Sequence, residues 1–503
     1  MGSELTRDCA GTAGGRFDLV VIGGGIHGAM ALLEAARRGQ RALLVERGDF
    51  GGGTSQHSLR ILHGGLRYLQ SANLPRFFRS VQARREMVQR YPHLVRPLAC
   101  LMPLYGQGMR RRSVMRAALW MNDLLGSRRN EGVEPGVHLP AGRAVDSRET
   151  LRLYPGVPRT GLEGGALWYD YLMLSSERIL IETLRQARAL GAAALNYCSA
   201  GAILARDSAV QGLELHDRVG GAHFEVQTGA VLDVRGYLSG SPMRGMPCDQ
   251  AAFQSIACNV LLDRAPPSEC ALAVSAPRAG SQVLFVVPRQ SATWVGTIHL
   301  PCVPGEPLSP DASIPESRIG ELVGEINSAM PDFRIGRENV RRVFAGYLPV
   351  DRPGSTRLTA SESIVDLSVR GGPRGCHSVQ TIKFTTACAV AREAVNRALP
   401  HTGPASGQVR VPDSAAGKAI AESNALTDWN GVLHGPEADV ARQLADCVRQ
   451  EAVACLDDLV LRRTNWSTTE CNLEAVRATA SHLLAMEGLE LPRKLDLAEE
   501  ASQ

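Results

Sequence analysis

Lysine is nearly missing from this chain: it stands only at 383, 418 and 494, and arginine supplies the rest of the 55 basic side chains. Against 51 acidic residues these leave a formal charge of +4, too little for a nucleic-acid footprint over the whole molecule. No apolar run reaches the ~20 residues that a membrane-spanning helix needs. Residues 1–16 are polar and glycine-rich, so no secretory leader is expected. The twelve cysteines contain no Cys-x-x-Cys pair, which argues against a zinc ribbon or a thiol–disulfide motif and leaves no metal site to expect. Their scatter suits a reducing, cytoplasmic setting in which most thiols pack as small apolar groups. What remains is ordinary globular material, 44% hydrophobic and 21% charged, and 503 residues suffice for two or three domains.

The first organised stretch is a βαβ unit. Residues 17–22 form a short apolar run, as a strand buried on both faces should. A glycine turn follows, then a helical pattern over 29–38 ending at Gly39, then a second strand over 41–46. Residues 74–95 and Met109 to Leu125 read as amphipathic helices, the second with a basic start and Met, Leu and Trp120 along one face. A helix at 175–190 leads into strands near 193–197, 202–206, 209–216, 222–228 and 231–234. Residues 255–300 are again β in pattern, clearest at 282–288 and 293–299. The spacing then predicts a helix over 315–330, a strand over 340–348, and a strand end followed by a helix over 381–399. Residues 401–417, rich in Gly, Pro and Ser, read as a linker before helices at 436–462 and 470–488.

Two motifs carry chemistry. Gly23-x-Gly25-x-x-Gly28 follows a strand, opens a helix, and is answered by Glu46 at the end of the second strand. The glycines allow a tight turn and close backbone approach, the helix N-terminus takes a pyrophosphate, and Glu46 accepts hydrogen bonds from ribose hydroxyls. A glycine-rich turn in an unrelated α/β protein is the plain alternative. The second motif runs Thr54-Ser55-Gln56-His57-Ser58-Leu59-Arg60-Ile61-Leu62-His63-Gly64-Gly65-Leu66-Arg67-Tyr68-Leu69. An enzyme that moves hydride from a secondary alcohol to a flavin needs a base for the hydroxyl proton. His63 can be that base near neutral pH. Arg67, Tyr68 and Lys383 offer donors to a developing alkoxide, or to a substrate phosphate or carboxylate. A structural histidine, and an arginine paired with an acid, are the alternatives here.

The second motif resembles the signature of FAD-dependent glycerol-3-phosphate dehydrogenases: Thr-Ser, small residues, a basic residue, then Ile-His-Gly-Gly-Leu-Arg-Tyr-Leu, with Arg60 at the basic place. Thr381-Ile382-Lys383-Phe384-Thr385-Thr386 is similar to the family's Gly-Gly-Lys-Leu-Thr-Thr near the flavin pyrimidine. Val286-Val287-Pro288 and Gly296-Thr297 resemble its substrate-domain strands, and Asp457 to Thr464 its Arg-Arg-Thr helix. The resemblance implies an FAD-binding doubly wound (glutathione-reductase-like) α/β domain in segments 16–104, 166–245 and 371–400, with a cap segment at 105–165. An inserted antiparallel β substrate domain at 246–370, the linker at 401–417 and a C-terminal α-helical domain at 418–503 complete it. His63, Arg67 and Lys383 are then catalytic, and Tyr68, Tyr347, Leu348 and His299 face the substrate. FAD falls to Gly23, Gly25, Ile26, Gly28, Glu46, Arg47, Thr54, Ser55, Arg60, Leu62, Gly64, Gly236, Lys383 and Thr385.

Several departures fall at the expected active site. The family's Gly-Val-Arg-Pro, whose arginine grips the substrate oxygen, has become Gly346-Tyr347-Leu348-Pro349. A more distant phosphate-contacting arginine is replaced near Ser361. Ala-Thr-Gly has become Val234-Arg235-Gly236, Gly-Gly before the lysine is Thr381-Ile382, and an acid after Gly-Thr-Thr is His299. The expectation is therefore oxidation of a C–OH bond on a small molecule related to, but other than, glycerol-3-phosphate. An amine or amino-acid oxidase of the same superfamily, and a non-catalytic paralogue, stay open as alternatives. So do the electron acceptor (quinone, O2 or a carrier protein), a homodimer, and peripheral contact at the inner face of a membrane through the 109–125 helix.

Overall fold

The computed structural model describes residues 3–70, 73–106, 111–236, 243–247, 253–277, 281–289, 292–302, 314–403, 436–464, 466, 472–495 and 497. Most of the 401–417 linker, residues 418–435 and the start of the 109–125 stretch lie outside them.

Leu19–Ile22 and Ala42–Val45 are all apolar and all buried, as a strand covered on both faces requires. They pair in parallel, Leu19 opposite Ala42 and Ile22 opposite Val45. The helix Ile26–Arg37 joins them; its C-cap is Arg38, and Gly39 follows in the left-handed region at φ +74°. The expected run 17–22 divides at Asp18, because Arg16–Phe17 pairs with His223–Thr228 in a separate sheet. The six-stranded nucleotide sheet runs Ser363–Asp366, Cys376–Gln380, Val231–Asp233, Leu19–Ile22, Ala42–Val45, Ala193–Leu195. All its pairs are parallel except the first. Segments hundreds of residues apart thus share one layer, with helices Ile26–Arg37, Ser176–Ala189 and Ala387–Ala398 packed together on it.

A four-stranded sheet built on Cys198–Arg206, Ala209–Asp217 and His223–Thr228 closes a second core against that layer. The third sheet has nine strands and is largely antiparallel, with Phe253–Leu262 between Val340–Val350 and Ala292–Pro301. Three of its members fall wholly or mostly in segments expected to belong to the nucleotide domain: Ile61–Leu62, Val95–Leu104 and Gly164–Met173, the last two paired along their whole length. The helix expected over 74–95 ends at Arg90, since Pro92 has no N–H to continue it; Pro92–Leu94 make one tight turn and Val95 starts the strand.

The helix expected over 436–462 is also divided. Glu437–Gln450 stops at Glu451, and Leu456–Asp458 begins a new turn after Ala452 takes φ +53°. The cause is electrostatic: the buried Glu451 carboxylate is held by Arg178 at 2.6 and 3.0 Å and by Arg185 at 2.9 Å, on a helix of the nucleotide domain. Beside it Arg463 takes both oxygens of Asp49 at 2.9 Å, and Arg462 joins Asp49 to Asp458. The C-terminal helices, packed around Trp466, are therefore fixed to the turn that follows Ala42–Val45. Breaking one side of such a buried pair costs about 3–5 kcal/mol.

Candidate active site

A cavity of about 1670 Å³ reaches from the first βα turn to the face of the nine-stranded sheet. At the turn, Gly23 sits at φ +111°, and a Cβ there would come 2.7 Å from the Val234 carbonyl oxygen. A Cβ on Gly24 would meet Glu46 at 2.8 Å, whereas one on Gly25 would meet Ser55 Oγ and otherwise open space. Glu46 accepts the N–H groups of Gly24 at 2.7 Å and Gly48 at 2.8 Å. Burial raises its carboxyl against the pull of those two donors, and each oxygen keeps a lone pair. The helix Ile26–Arg37 begins at the cavity wall with Gly25 as its N-cap and no acid in its first turn, so its positive end is left for a ligand; Ser55 Oγ takes the Ile26 N–H at 3.0 Å. Arg235, where the family has a small residue, folds back onto Asp233 at 2.9 and 3.0 Å. A glycine cradle, a helix terminus and an acid suited to sugar hydroxyls fit the diphosphate and ribose of FAD.

The loop 52–58 forms the next wall and is tied to the substrate sheet. Thr54 Oγ1 donates to the Tyr347 carbonyl at 3.3 Å, Asn259 Nδ2 donates to the His57 carbonyl at 2.7 Å, and Thr297 Oγ1 donates to Asn259 at 2.9 Å. The His57 ring bonds the Ala345 carbonyl, and burial brings its pKa down to about 4. Arg60, buried at φ +63°, is neutralised by Glu177 and lies 5.5 Å from the Trp294 ring.

Against the face of the nine-stranded sheet, the cavity is lined by His63. Its Nδ1 is 3.1 Å from Asp170 Oδ2, and its ring lies 5.1 Å from that of Phe285. Asp170 also accepts from Gly64 N–H at 2.7 Å, Arg84 Nη1 at 2.6 Å and Trp168 Nε1 at 3.3 Å. Burial would raise this carboxyl, but the His63 hydrogen bond, the charges of His63 and Arg84 and the Gly64 N–H outweigh it and hold it at about 2. With Nδ1–H committed to Asp170, Nε2 is the free basic atom of the imidazole. Nearby, the Lys383 ammonium bonds Tyr68 OH and lies 4.4 Å from the Tyr68 ring, which Arg76 approaches at 5.0 Å. His299 bonds Ser255 Oγ at 3.3 Å and is lowered to about 4, by burial first and then by Arg67.

The cavity brings together Gly23, Gly25, Ile26, Glu46, Arg47, Thr54, Ser55, Arg60, His63, Arg67, Tyr68, Gly236, His299, Tyr347, Leu348, Lys383 and Thr385. Three expected cofactor contacts stand outside its lining. Gly28 is pressed against the Gly23 carbonyl, where a Cβ has no room. Leu62 is wholly buried in the core, and Gly64 is turned to Asp170, with the Arg84 guanidinium over its Cα. The sequence reading missed Asp170, Arg84, Arg76 and Phe285, and two more lining residues, Gln282, whose Oε1 takes the His299 N–H at 2.8 Å, and His27. Arg84 had a signal: it shares a helical stripe with Phe77, Ser80, Met87 and Val88, all buried. Asp170 had a weaker one, an acid inside the aromatic run Trp168-Tyr169-Asp170-Tyr171.

Residues 18–397 match the family model described as FAD dependent oxidoreductase. Among curated proteins, "Glycerol-3-phosphate dehydrogenase 1" of Mycobacterium tuberculosis (strain ATCC 25618 / H37Rv) is 28% identical, the alignment covering 94% of this chain and 95% of that protein. "Alpha-glycerophosphate oxidase" of Streptococcus pyogenes serotype M18 is 26% identical over 86% of this chain and 69% of its own length. Among solved structures, the glycerol-3-phosphate dehydrogenase from Bacillus halodurans complexed with FAD shares the fold, with a TM-score of 0.66 and 19% identity over 95% of this chain and 92% of that one.

Proposed function

The chain belongs to the FAD dependent oxidoreductase family, and from that premise we propose that it oxidises a C–OH bond of a small anionic molecule related to, but distinct from, glycerol-3-phosphate. It is an FAD-dependent dehydrogenase or oxidase, similar over nearly its whole length to glycerol-3-phosphate dehydrogenases. The observation that carries the reading is the His63–Asp170 pair, with His63 in the cavity wall and Asp170 buried behind it. When bound, FAD supplies the two-electron acceptor for the hydride that leaves the substrate carbon. His63 Nε2 takes the hydroxyl proton, and Asp170 balances the charge that the ring gains. Arg84, Gly64 N–H and Trp168 fix Asp170 and so the tautomer of His63.

The anion follows from the cations. Arg76 and Lys383 both approach the Tyr68 ring, Arg67 lines the same cavity, and the Glu362 carboxylate acts on Lys383, so cations gather at this end of the cavity. A phosphate or carboxylate on the substrate answers them. The departure from glycerol-3-phosphate rests on Leu348, which offers no donor where the family has an arginine, a loss of about 1.5–3 kcal/mol for each charge-assisted bond. Dye reduction by purified protein against a panel of polyol phosphates, hydroxy acids and amines tests this. Turnover of a hydroxy acid or a different polyol phosphate is expected. Rapid turnover of glycerol-3-phosphate refutes the altered substrate, and preference for amines refutes C–OH oxidation.

A second reading concerns a partner. The helix Arg112–Leu125 turns Arg112, Arg116, Trp120, Met121 and Leu124 outward, with Trp120 67% exposed, and Leu74 and Phe78 of Leu74–Arg90 are exposed as well. Apolar side chains beyond a basic start suit a helix lying in a lipid interface, and we propose peripheral membrane contact through this face. Flotation with anionic phospholipid vesicles, lost in Trp120→Ala, is the expected result; wild-type protein that stays at the bottom of the gradient removes the idea.

A further inference from the structure

His299 lines the cavity on the same face of the nine-stranded sheet as Leu348. Ser255 stands opposite Leu348, and Ala257 opposite both Gly346 and His299, so the side chains at 255, 257, 299 and 348 share that face. Gln282 fixes the strand here: its Oε1 takes the His299 N–H at 2.8 Å, and its Nε2 donates to the His299 carbonyl at 3.1 Å. The ring itself is half-buried, with Nδ1 3.3 Å from Ser255 Oγ. Ser255 is wholly buried, and among the described residues that nitrogen is the one partner of its hydroxyl. Were the ring proton on Nδ1, the buried hydroxyl hydrogen would have no acceptor. The hydroxyl therefore donates to Nδ1, and the neutral ring carries its proton on Nε2. A pKa lowered to about 4, by burial and then by Arg67, agrees with the neutral form. Nε2 has no partner among the described residues and keeps accessible surface.

We infer that His299 binds the oxyanion of the substrate, donating its Nε2–H to a carboxylate or phosphate oxygen, with Ser255 and Gln282 as the residues that position it. The inference rests on the anionic substrate proposed above and deepens it by assigning a donor and its tautomer. Leu348 offers no donor on this face, and His299, two strands away, supplies one. A neutral ring suits the place. Beside Arg67 an imidazolium would repel the cation it works with, whereas the neutral N–H adds a hydrogen bond without that repulsion. An ammonium group at the same point would meet two donors and no acceptor.

The test titrates flavin-loaded protein with oxalate and, separately, with inorganic phosphate, the change in visible flavin absorbance reading each dissociation constant. Uptake of oxalate identifies a carboxylate seat, and uptake of phosphate a phosphate seat. Whichever anion wild type takes, His299→Phe is expected to weaken it about tenfold. His299→Gln, whose amide also donates, should recover part of the loss. Ser255→Ala lets the ring proton move to Nδ1 and should weaken the same anion by a smaller factor. Anion affinity unchanged in His299→Phe overturns the inference, and if Arg67→Gln then loses the anion, the anionic substrate itself survives. A loss in His299→Phe that follows a lower melting temperature and is not recovered in His299→Gln overturns it as well. Wild-type holoenzyme that takes neither anion overturns the anionic-substrate reading beneath it.

Discussion

Replacing Asp170 by asparagine keeps the shape of the side chain and changes its chemistry at one atom. All four groups that reach this carboxylate are donors: Gly64 N–H and Arg84 on Oδ1, His63 and Trp168 on Oδ2. An asparagine whose oxygen serves Gly64 and Arg84 turns its NH2 toward His63 and Trp168. His63 must then accept at Nδ1, which moves its proton to Nε2 and removes the base. The expected loss in the rate of flavin reduction by substrate is about 10²–10⁴-fold, the range that positioned proton transfer supplies. Arg84 also loses its counter-charge in a buried site, so stability should fall by about 3–5 kcal/mol. Anaerobic mixing of flavin-loaded variant with the best substrate of the panel, followed by the bleaching of the visible flavin band, reads the chemical step by itself. Flavin content and melting temperature are measured in parallel, so that a misfolded variant is not mistaken for a slow one. Raised pH should rescue none of the loss, because the missing lone pair is a matter of tautomer and not of protonation. Flavin reduction by Asp170→Asn within a few-fold of wild type would refute His63 as the base.

Leu348→Arg restores a cation where the family grips its substrate, and should raise kcat/KM for glycerol-3-phosphate by about 10–100-fold, the equivalent of ~1.5–3 kcal/mol; no gain would place the specificity elsewhere. Arg463→Ala removes two of the four hydrogen bonds to Asp49, leaving those from Arg462 and Asn196, and takes its buried donor from the Glu451 carbonyl; chemical denaturation should show a loss of about 3–5 kcal/mol, and a loss under ~1 kcal/mol would mean the clamp carries little. Three imidazoles, the buried His27 and the half-buried His57 and His299, are each lowered from 6.5 to about 4, chiefly by desolvation. Between about pH 6.5 and 4 the unfolded chain binds protons there that the folded chain does not. Stability should therefore fall on acidification by up to ~1.4 kcal/mol per pH unit for each ring, and a flat melting temperature over that range would contradict their burial.

The local half of this molecule could be read from its residues, and the long-range half could not. The glycine turn, Glu46 and the histidine motif lie within one continuous stretch, so spacing alone carries them. Asp170 stands 107 residues from His63, and nothing short of strand pairing brings them together. The pairing that does so, Ile61–Leu62 against Gly164–Met173, is two residues long and offers no pattern to read, and the next strand, Val95–Leu104, contains Pro97 and Pro103, which argue against an interior strand. They are tolerated because its parallel neighbour, Ala271–Val274, pairs at Cys100 and Leu101 alone, away from both prolines. The helix over 436–462 failed for the opposite reason. Its local pattern was sound, and a buried carboxylate drawn to two arginines on another domain overrode it.

Asp49 and Glu46 sit on the same short turn, one anchoring the distant helices and the other bonded to the glycine turn at the cavity wall. Occupation of the nucleotide site therefore raises the free energy of peeling those helices away, by about 2.7 kcal/mol when the ligand stands a hundredfold above its dissociation constant.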